Sequence, residues 1–220
     1  MRTKIKVADT GVSPGIHFHH FPDTPKDDVS EFFIDSLSRS SYFLTTPLVG
    51  EQKISTLMRI VFVCTANICR SVMSEAILKK LLRDKQLGKN IHVESAGTES
   101  PVGRETIEII KKLCKAYGSD VSHHRSRQLT KAIIETATLV VCLAKNHEKA
   151  IQEAFPEFKS KVVMLKEFGQ LNPPKDPSVA DPIGLSEKEY VACFKEIETE
   201  IKRVLPALEH RLHKTRPAHR

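Results

Sequence analysis

The strongest constraint on how this chain folds is a regular alternation of short apolar runs and amphipathic stretches after residue 57. The run Ile60–Val63 is apolar at every position, which is typical of a strand covered on both faces of a sheet. Met73, Ile77 and Leu81 follow at helical spacing and predict a helix directly after that strand. Further strands are predicted at Ile91–Ser95, Leu139–Leu143 and Val162–Leu165. Such alternation builds a parallel sheet with helices on its faces.

We therefore predict an α/β fold for residues 58–205, a three-layer, doubly wound sheet of four parallel strands with helices on both faces. Residues 1–57 precede this domain as an N-terminal extension of unknown role, and residues 206–220 follow it as a basic C-terminal tail. A capping box at Ser186 and Glu189 opens the last helix. Its apolar face carries Phe194, Ile197, Ile201, Val204 and Leu208.

The formal net charge of +7 raises the question of a nucleic-acid partner. Much of the basic surplus lies near the C-terminal end, as in a solvated tail. It is accompanied by no zinc-finger spacing, no aromatic RNA-binding motif and no basic heptad array. We expect no nucleic-acid partner.

Sequence patterns also indicate whether the chain spans a membrane, which compartment it occupies and whether it binds a metal. The chain has no apolar run of about 18 residues, so no membrane span is expected. Its first residues lack the apolar stretch of a secretory signal, and its five cysteines are an odd number, which together predict a reducing, cytoplasmic location. No cysteine pair has the C-x2-C spacing of structural zinc sites. His17, His19 and His20 have no carboxylate or cysteine partner at a recognised spacing, so no metal is expected there.

The segment between the first strand and its helix carries the chemistry. It reads CTANICRS from Cys64 to Ser71, at the carboxyl end of a parallel strand, where open α/β sheets bind ligands. Backbone N–H groups of a loop that wraps there, at a helix N-terminus, form an anion-binding nest. The helix dipole and the Arg70 guanidinium favour thiolate over thiol, so we expect Cys64 to be nucleophilic. The planar fork of Arg70 matches two phosphate oxygens.

These residues resemble the low-molecular-weight protein tyrosine phosphatase family. The resemblance includes C-x2-N-x-C-R-S at Cys64–Ser71, Ser95–Thr98 after the second strand, His124–Leu129 and the late Asp181-Pro182. These motifs occur in the family's order, and the similarity covers about Met58 to Val204. A bare C-x5-R has little specificity, whereas the longer loop pattern after a buried strand, with a late Asp-Pro, is strongly specific.

The resemblance implies a two-step phosphatase that needs no cofactor. Cys64 attacks phosphorus and becomes a phosphocysteine. Arg70 clamps the phosphate, and Asp181 protonates the leaving oxygen and then activates water. Phosphate binding is implied for the loop residues Thr65, Ala66, Asn67, Ile68, Cys69 and Arg70.

Supporting roles are also implied by the family. Asn67 is expected to brace the loop, and Ser71 to donate a hydrogen bond to the Cys64 thiolate. Cys69 has two interpretations, as a packed side chain or as a redox partner that forms a reversible disulfide with Cys64. Ala66 stands where the family commonly has glycine, which puts the rate in question.

Substrate choice depends on two positions. Ile68 supplies an apolar wall within the loop, whereas members resembling protein arginine phosphatases tend to carry threonine there. We therefore expect a phosphorylated protein substrate, with phosphotyrosine ahead of phosphoarginine. Ile183-Gly184 follows Asp181-Pro182, where many tyrosine-directed members have aromatic residues, and this leaves the second wall of the cleft unassigned.

Two further functions compete with a protein phosphatase. Thiol-coupled arsenate reductase uses a similar loop but needs two relayed cysteines, and no second cysteine lies within ten residues after Cys142. A non-catalytic phosphate-binding interaction module would bind phosphate without turnover, and the intact Cys64, Arg70 and Asp181 count against it. The oligomeric state is left open.

Overall fold

A computed structural model describes residues 57–214 of the protein, with side chains through residue 212. The predicted N-terminal extension and the histidines at 17, 19 and 20 lie outside the described residues. Within the described part, the elements are β1 (Met58–Cys64), α1 (Arg70–Asp84), β2 (Ile91–Gly97), α2 (Glu108–Ala116), α3 (Lys131–Thr136), β3 (Leu139–Cys142), α4 (Lys145–Ala154), a 3-10 helix (Pro156–Lys161), β4 (Val162–Met164) and α5 (Glu187–Lys214).

The four strands form one parallel sheet in the order β2-β1-β3-β4. Ile60 pairs with Val93 of β2 on one side and with Leu139 of β3 on the other. The chain leaves β1 for β2 on one side and later returns to β3 on the other, so a topological switch point lies beside the end of β1. The ligand crevice of this fold class is therefore expected where β1 ends at Cys64.

The alternation of side chains along β1 explains why the sheet has two covered faces. Ile60 and Phe62 point into one core with helices α1, α2 and α5, while Val61 and Val63 point into the other with Ile134 of α3 and Ile151 of α4. All four β1 residues are at most 1% exposed. The predicted three-layer, doubly wound fold is confirmed.

The C-terminal boundary differs from the sequence prediction. The segment predicted as a basic tail from 206 continues α5 through Lys214, although Pro206 lies within the helix. Leu208 and Leu212 are 2% and 1% exposed and belong to the core that α1 and α2 share. Burial of this apolar stripe outweighs the basic composition from which a tail was inferred.

No helix among residues 57–214 is both long and apolar enough to cross a bilayer.

Candidate active site

The loop after β1 is held from outside through its carbonyl groups. The carbonyl oxygens of Cys64 and Thr65 accept hydrogen bonds from the backbone N–H groups of Thr98 and Glu99 at 2.9 and 3.0 Å. The next carbonyl, that of Ala66, accepts a hydrogen bond from the Ser100 hydroxyl at 2.9 Å. These contacts fasten the first half of the loop to the segment that follows β2.

The second half of the loop is fastened in the same way. The carbonyl of Asn67 lies 2.8 Å from His124 Nε2, and the carbonyl of Ile68 accepts a hydrogen bond from Thr106 Oγ1 at 2.6 Å. Because N–H and C=O point in opposite directions across a trans peptide, outward carbonyls direct the loop N–H groups inward. Inward N–H groups at the start of α1 have the arrangement of an anion-binding nest.

Two residues allow the tight path of this loop. Asn67 has a φ of 53°, in the left-handed region that asparagine tolerates better than most residues. Gly97 lies where a Cβ would come within 2.4 Å of the Thr65 carbonyl oxygen and 3.0 Å of the Asn67 nitrogen. Only a residue without a side chain lets β2 approach the loop this closely.

Asn67 also orients the hydroxyl next to the proposed nucleophile. Its Nδ2 donates to Ser71 Oγ at 3.0 Å and to Ser95 Oγ at 2.9 Å, and its Oδ1 accepts from the Arg127 N–H at 3.0 Å. Ser71 Oγ lies 3.0 Å from Cys64 Sγ. Ser71 Oγ accepts a hydrogen bond from Asn67 and keeps its own proton, which it can donate to the sulfur when Cys64 is a thiolate. Cys64 is 3% exposed, which leaves this contact shielded from water.

Arg70 and Asp181 lie on the same side of the loop. Arg70 Nη2 donates to Asp181 Oδ2 at 2.6 Å, and Nη1 donates to the Val179 carbonyl at 3.1 Å. The Arg70 side chain is 5% exposed and that of Asp181 is 46% exposed, so the carboxylate stands at the solvent edge of the site. The Val179 N–H donates to the Leu143 carbonyl at 2.7 Å, which fixes this segment to the end of β3. The structure thus brings Asp181, 111 residues later in the chain, to the loop that carries Cys64 and Arg70.

His147, in the first turn of α4, is a fully buried residue of the site whose place the sequence did not predict. Its Nε2 lies 3.0 Å from Thr65 Oγ1. Burial, with the Arg70 charge as a second cause, lowers the pKa of His147 from 6.5 to about 3. The ring is therefore neutral at physiological pH. His124 was likewise not assigned to the loop, and neither contact has a local sequence signature, because each joins segments more than 50 residues apart.

All five cysteines are buried and free. Burial raises the pKa of Cys69, and the neighbouring Cys193 and Cys64 add to the rise. Burial also raises the pKa values of Cys114 and Cys193 to about 12, consistent with core packing of these two side chains. The Cys64–Cys69 disulfide stays a prediction.

Within residues 57–214, no group of three or more His, Cys, Asp or Glu side chains is placed to hold a metal ion.

Comparisons with known proteins agree with the geometry. A family model described as low molecular weight phosphotyrosine protein phosphatase matches residues 59–216. A protein-arginine-phosphatase from Geobacillus stearothermophilus is 40% identical over 151 residues, 69% of this chain and 96% of that protein. A low molecular weight protein-tyrosine phosphatase A from Mycobacterium tuberculosis is 29% identical over 162 residues, 73% of this chain and 98% of that protein.

Solved structures give the same relationship. A structure of the YwlE arginine phosphatase, a mutant with a phosphorylated active site serine, superposes with a TM-score of 0.65 at 29% identity. The match covers 70% of this chain and 99% of that one.

Proposed function

The chain belongs to the low molecular weight phosphotyrosine protein phosphatase family, a family of hydrolases, and on that premise we propose that it removes phosphoryl groups from protein side chains, with phosphotyrosine preferred. The observation that supports the reaction is that Asp181 contacts Arg70 of the loop on which Cys64 lies beside Ser71. Phosphorylation of an active site serine in a related arginine phosphatase supports a covalent phosphoenzyme.

In the first step, the Cys64 thiolate attacks phosphorus from within the nest. The Ser71 hydroxyl, whose oxygen lies 3.0 Å from the sulfur, stabilises the thiolate before attack by donating a hydrogen bond. The Arg70 guanidinium has five N–H donors, of which two hold Val179 and Asp181, and the others are available to bind two phosphoryl oxygens. The bond between phosphorus and the leaving oxygen breaks as Asp181, which enters this step protonated and leaves it as a carboxylate, gives that oxygen a proton. The leaving alcohol departs, and the phosphoryl group stays on sulfur.

In the second step, the Asp181 carboxylate takes a proton from a water molecule that attacks the phosphocysteine. Phosphate leaves and the Cys64 thiolate is restored. Asp181 is suited to both steps because its half-exposed side chain reaches incoming water and leaving group alike.

Turnover of p-nitrophenyl phosphate tests this reaction directly. We expect Cys64→Ser to lose turnover, whereas Cys114→Ser, the same substitution at a buried cysteine of the core, keeps it. Equal rates for the wild type and Cys64→Ser would rule out this nucleophile. Asp181→Asn should slow the hydrolysis of aryl phosphates with poor leaving groups far more than that of aryl phosphates with good ones. An equal loss of rate for both classes of substrate would show that Asp181 is not the general acid.

The preference for phosphotyrosine rests on Ile68. Its side chain is 9% exposed, yet it belongs to neither of the two apolar cores. An apolar side chain in the phosphate loop that is not used for core packing is available to line the cleft for an aromatic ring. Ile183 and Leu185, which follow Asp181, are 48% and 53% exposed and offer further apolar surface near the acid.

Phosphoarginine is the second candidate, favoured by the 40% identity with a protein-arginine-phosphatase. Matched phosphotyrosine and phosphoarginine peptides distinguish the two. We expect the wild type to prefer phosphotyrosine and Ile68→Thr to shift the ratio of kcat/KM values toward phosphoarginine. Ile77→Thr, a change of the same kind in the core, controls for destabilisation. A wild type that prefers phosphoarginine would overturn the assignment to tyrosine while leaving the phosphatase reaction in place.

A further inference from the structure

The pair formed by His147 and Thr65 has no part in the steps above, although both residues lie at the site. His147 is 0% exposed, and its Nε2 is 3.0 Å from Thr65 Oγ1. Its other ring nitrogen, Nδ1, is buried and has no hydrogen-bond partner in the described part of the chain. A nitrogen of a buried imidazole that has no hydrogen-bond partner lowers the free energy of unfolding. Because the chain tolerates this loss, we infer that the bonded nitrogen has a role.

The topology explains why these two residues meet. Thr65 follows β1 directly, and His147 lies in the first turn of the helix that follows β3. Strands β1 and β3 are parallel neighbours, so their carboxyl ends lie at the same edge of the sheet. The Thr65 backbone is fixed separately, by the hydrogen bond from the Glu99 N–H to its carbonyl. The His147 contact therefore acts on the hydroxyl rather than on the path of the main chain.

The protonation state of His147 fixes the direction of the hydrogen bond. The ring is neutral, because burial and the Arg70 charge both disfavour the imidazolium. A buried N–H without an acceptor is rarer in proteins than an acceptor without a donor. We therefore assign the ring proton to Nε2, which leaves Nδ1 as a bare lone pair. In this tautomer Nε2–H donates to Thr65 Oγ1, and the threonine keeps its own proton for another acceptor.

We propose that His147 is a positioning residue that holds the Thr65 hydroxyl as a hydrogen-bond donor to the phosphoryl group bound by the loop. This inference rests on the proposed function, since it assigns a further donor to the same site. Thr65 is the first loop residue after the nucleophile and is partly exposed, so its hydroxyl is accessible to a bound anion. The donor is neutral, and it adds to the charge of Arg70 without repelling it.

The experiment measures p-nitrophenyl phosphate kinetics and inhibition by inorganic phosphate for a matched set of variants. Thr65→Val removes the hydroxyl with little change in shape, and His147→Leu removes the ring donor. His147→Gln keeps an N–H close to the place of Nε2. Thr138→Val controls for the substitution itself, because the Thr138 side chain accepts a hydrogen bond from the Arg59 N–H before β3, at the far end of the strands.

We expect Thr65→Val and His147→Leu each to weaken phosphate binding about tenfold, as for a lost hydrogen bond to a charged group. The double variant should lose no more than either single one, because both changes remove the same donor. His147→Gln should restore most of the affinity, whereas a merely structural role would not respond to a regained N–H.

Additive losses, or wild-type phosphate affinity in Thr65→Val, would overturn the inference. If His147→Leu does not fold, Thr65→Val and His147→Gln still decide the outcome. The two proposals fail in different ways. A wild type that binds phosphate through Thr65 without turnover contradicts the proposed function alone, and an active wild type matched by Thr65→Val contradicts only the role of this pair.

Discussion

Replacing His147 by glutamine tests how strongly the buried ring resists protonation. In the folded chain the pKa of His147 is about 3, whereas the ordinary value is 6.5. Between these values the unfolded chain takes up a proton at this position and the folded chain does not. The free energy of unfolding therefore falls as the pH falls below 6.5, and the loss continues until about pH 3.

The size of the effect follows from the gap between the two pKa values. One pH unit inside the window corresponds to about 1.4 kcal/mol, so acidification from pH 7.5 to pH 4.5 costs the wild type about 2 to 3 kcal/mol through this ring. This is a large part of the roughly 5–15 kcal/mol by which domains are stable. Glutamine does not titrate, and His147→Gln should lack this component while keeping the acid response of every other group.

Urea unfolding at pH 7.5 and pH 4.5 measures the difference. The drop in unfolding free energy between the two pH values should be about 2 to 3 kcal/mol smaller for His147→Gln than for the wild type. His92→Gln, the same substitution at an exposed position of β2, is the matched control. Parallel pH dependences of the wild type and His147→Gln would refute the reasoning, because they would mean that the folded chain protonates this ring as readily as the unfolded chain.

Three further substitutions test the loop and the C-terminal boundary. Gly97→Ala places a Cβ 2.4 Å from the Thr65 carbonyl oxygen, and we expect a loss of about 1–3 kcal/mol in stability together with reduced turnover, measured by urea unfolding and p-nitrophenyl phosphate kinetics. Asn67→Ala removes three side-chain hydrogen bonds at a residue with positive φ, and should lower kcat/KM at least tenfold; unchanged kinetics would contradict a bracing role. Leu208→Ala should cost about 2–5 kcal/mol if α5 packs through this residue, whereas a loss near zero would restore the predicted tail.

The four strands of the sheet could be predicted from the sequence because they are apolar at nearly every position. Ile60–Val63 can be buried on both faces only in a sheet covered by helices on both sides, and the structure has this arrangement. The short helix α3 was not predicted, since six residues carry too little periodicity to stand out. The domain was ended at 205 because the basic composition of the last residues was weighted above the apolar spacing that continues from Leu208 to Leu212.

The candidate site was predictable where its residues are close in sequence. Cys64, Arg70 and Ser71 lie on one loop and its helix, so their proximity follows from the local fold. Asp181 was linked to them through a family resemblance, since nothing local indicates a contact with a residue 111 positions earlier. The residues that fasten the loop carbonyls, such as Thr106, were missed because a hydroxyl in an irregular segment has no pattern that names its acceptor.

The hydrogen bonds of Val179 fix one end of the span that follows β4. The span begins after Met164, the last residue of β4, which is buried against β3. It ends at Val179, which is hydrogen-bonded to the Leu143 carbonyl and to Arg70 Nη1. Residues 171–176, in the span between these two fixed points, are all exposed. Lengthening a loop whose ends are already held costs little conformational entropy. The length and sequence of this span can therefore change while Arg70 and Asp181 keep their positions.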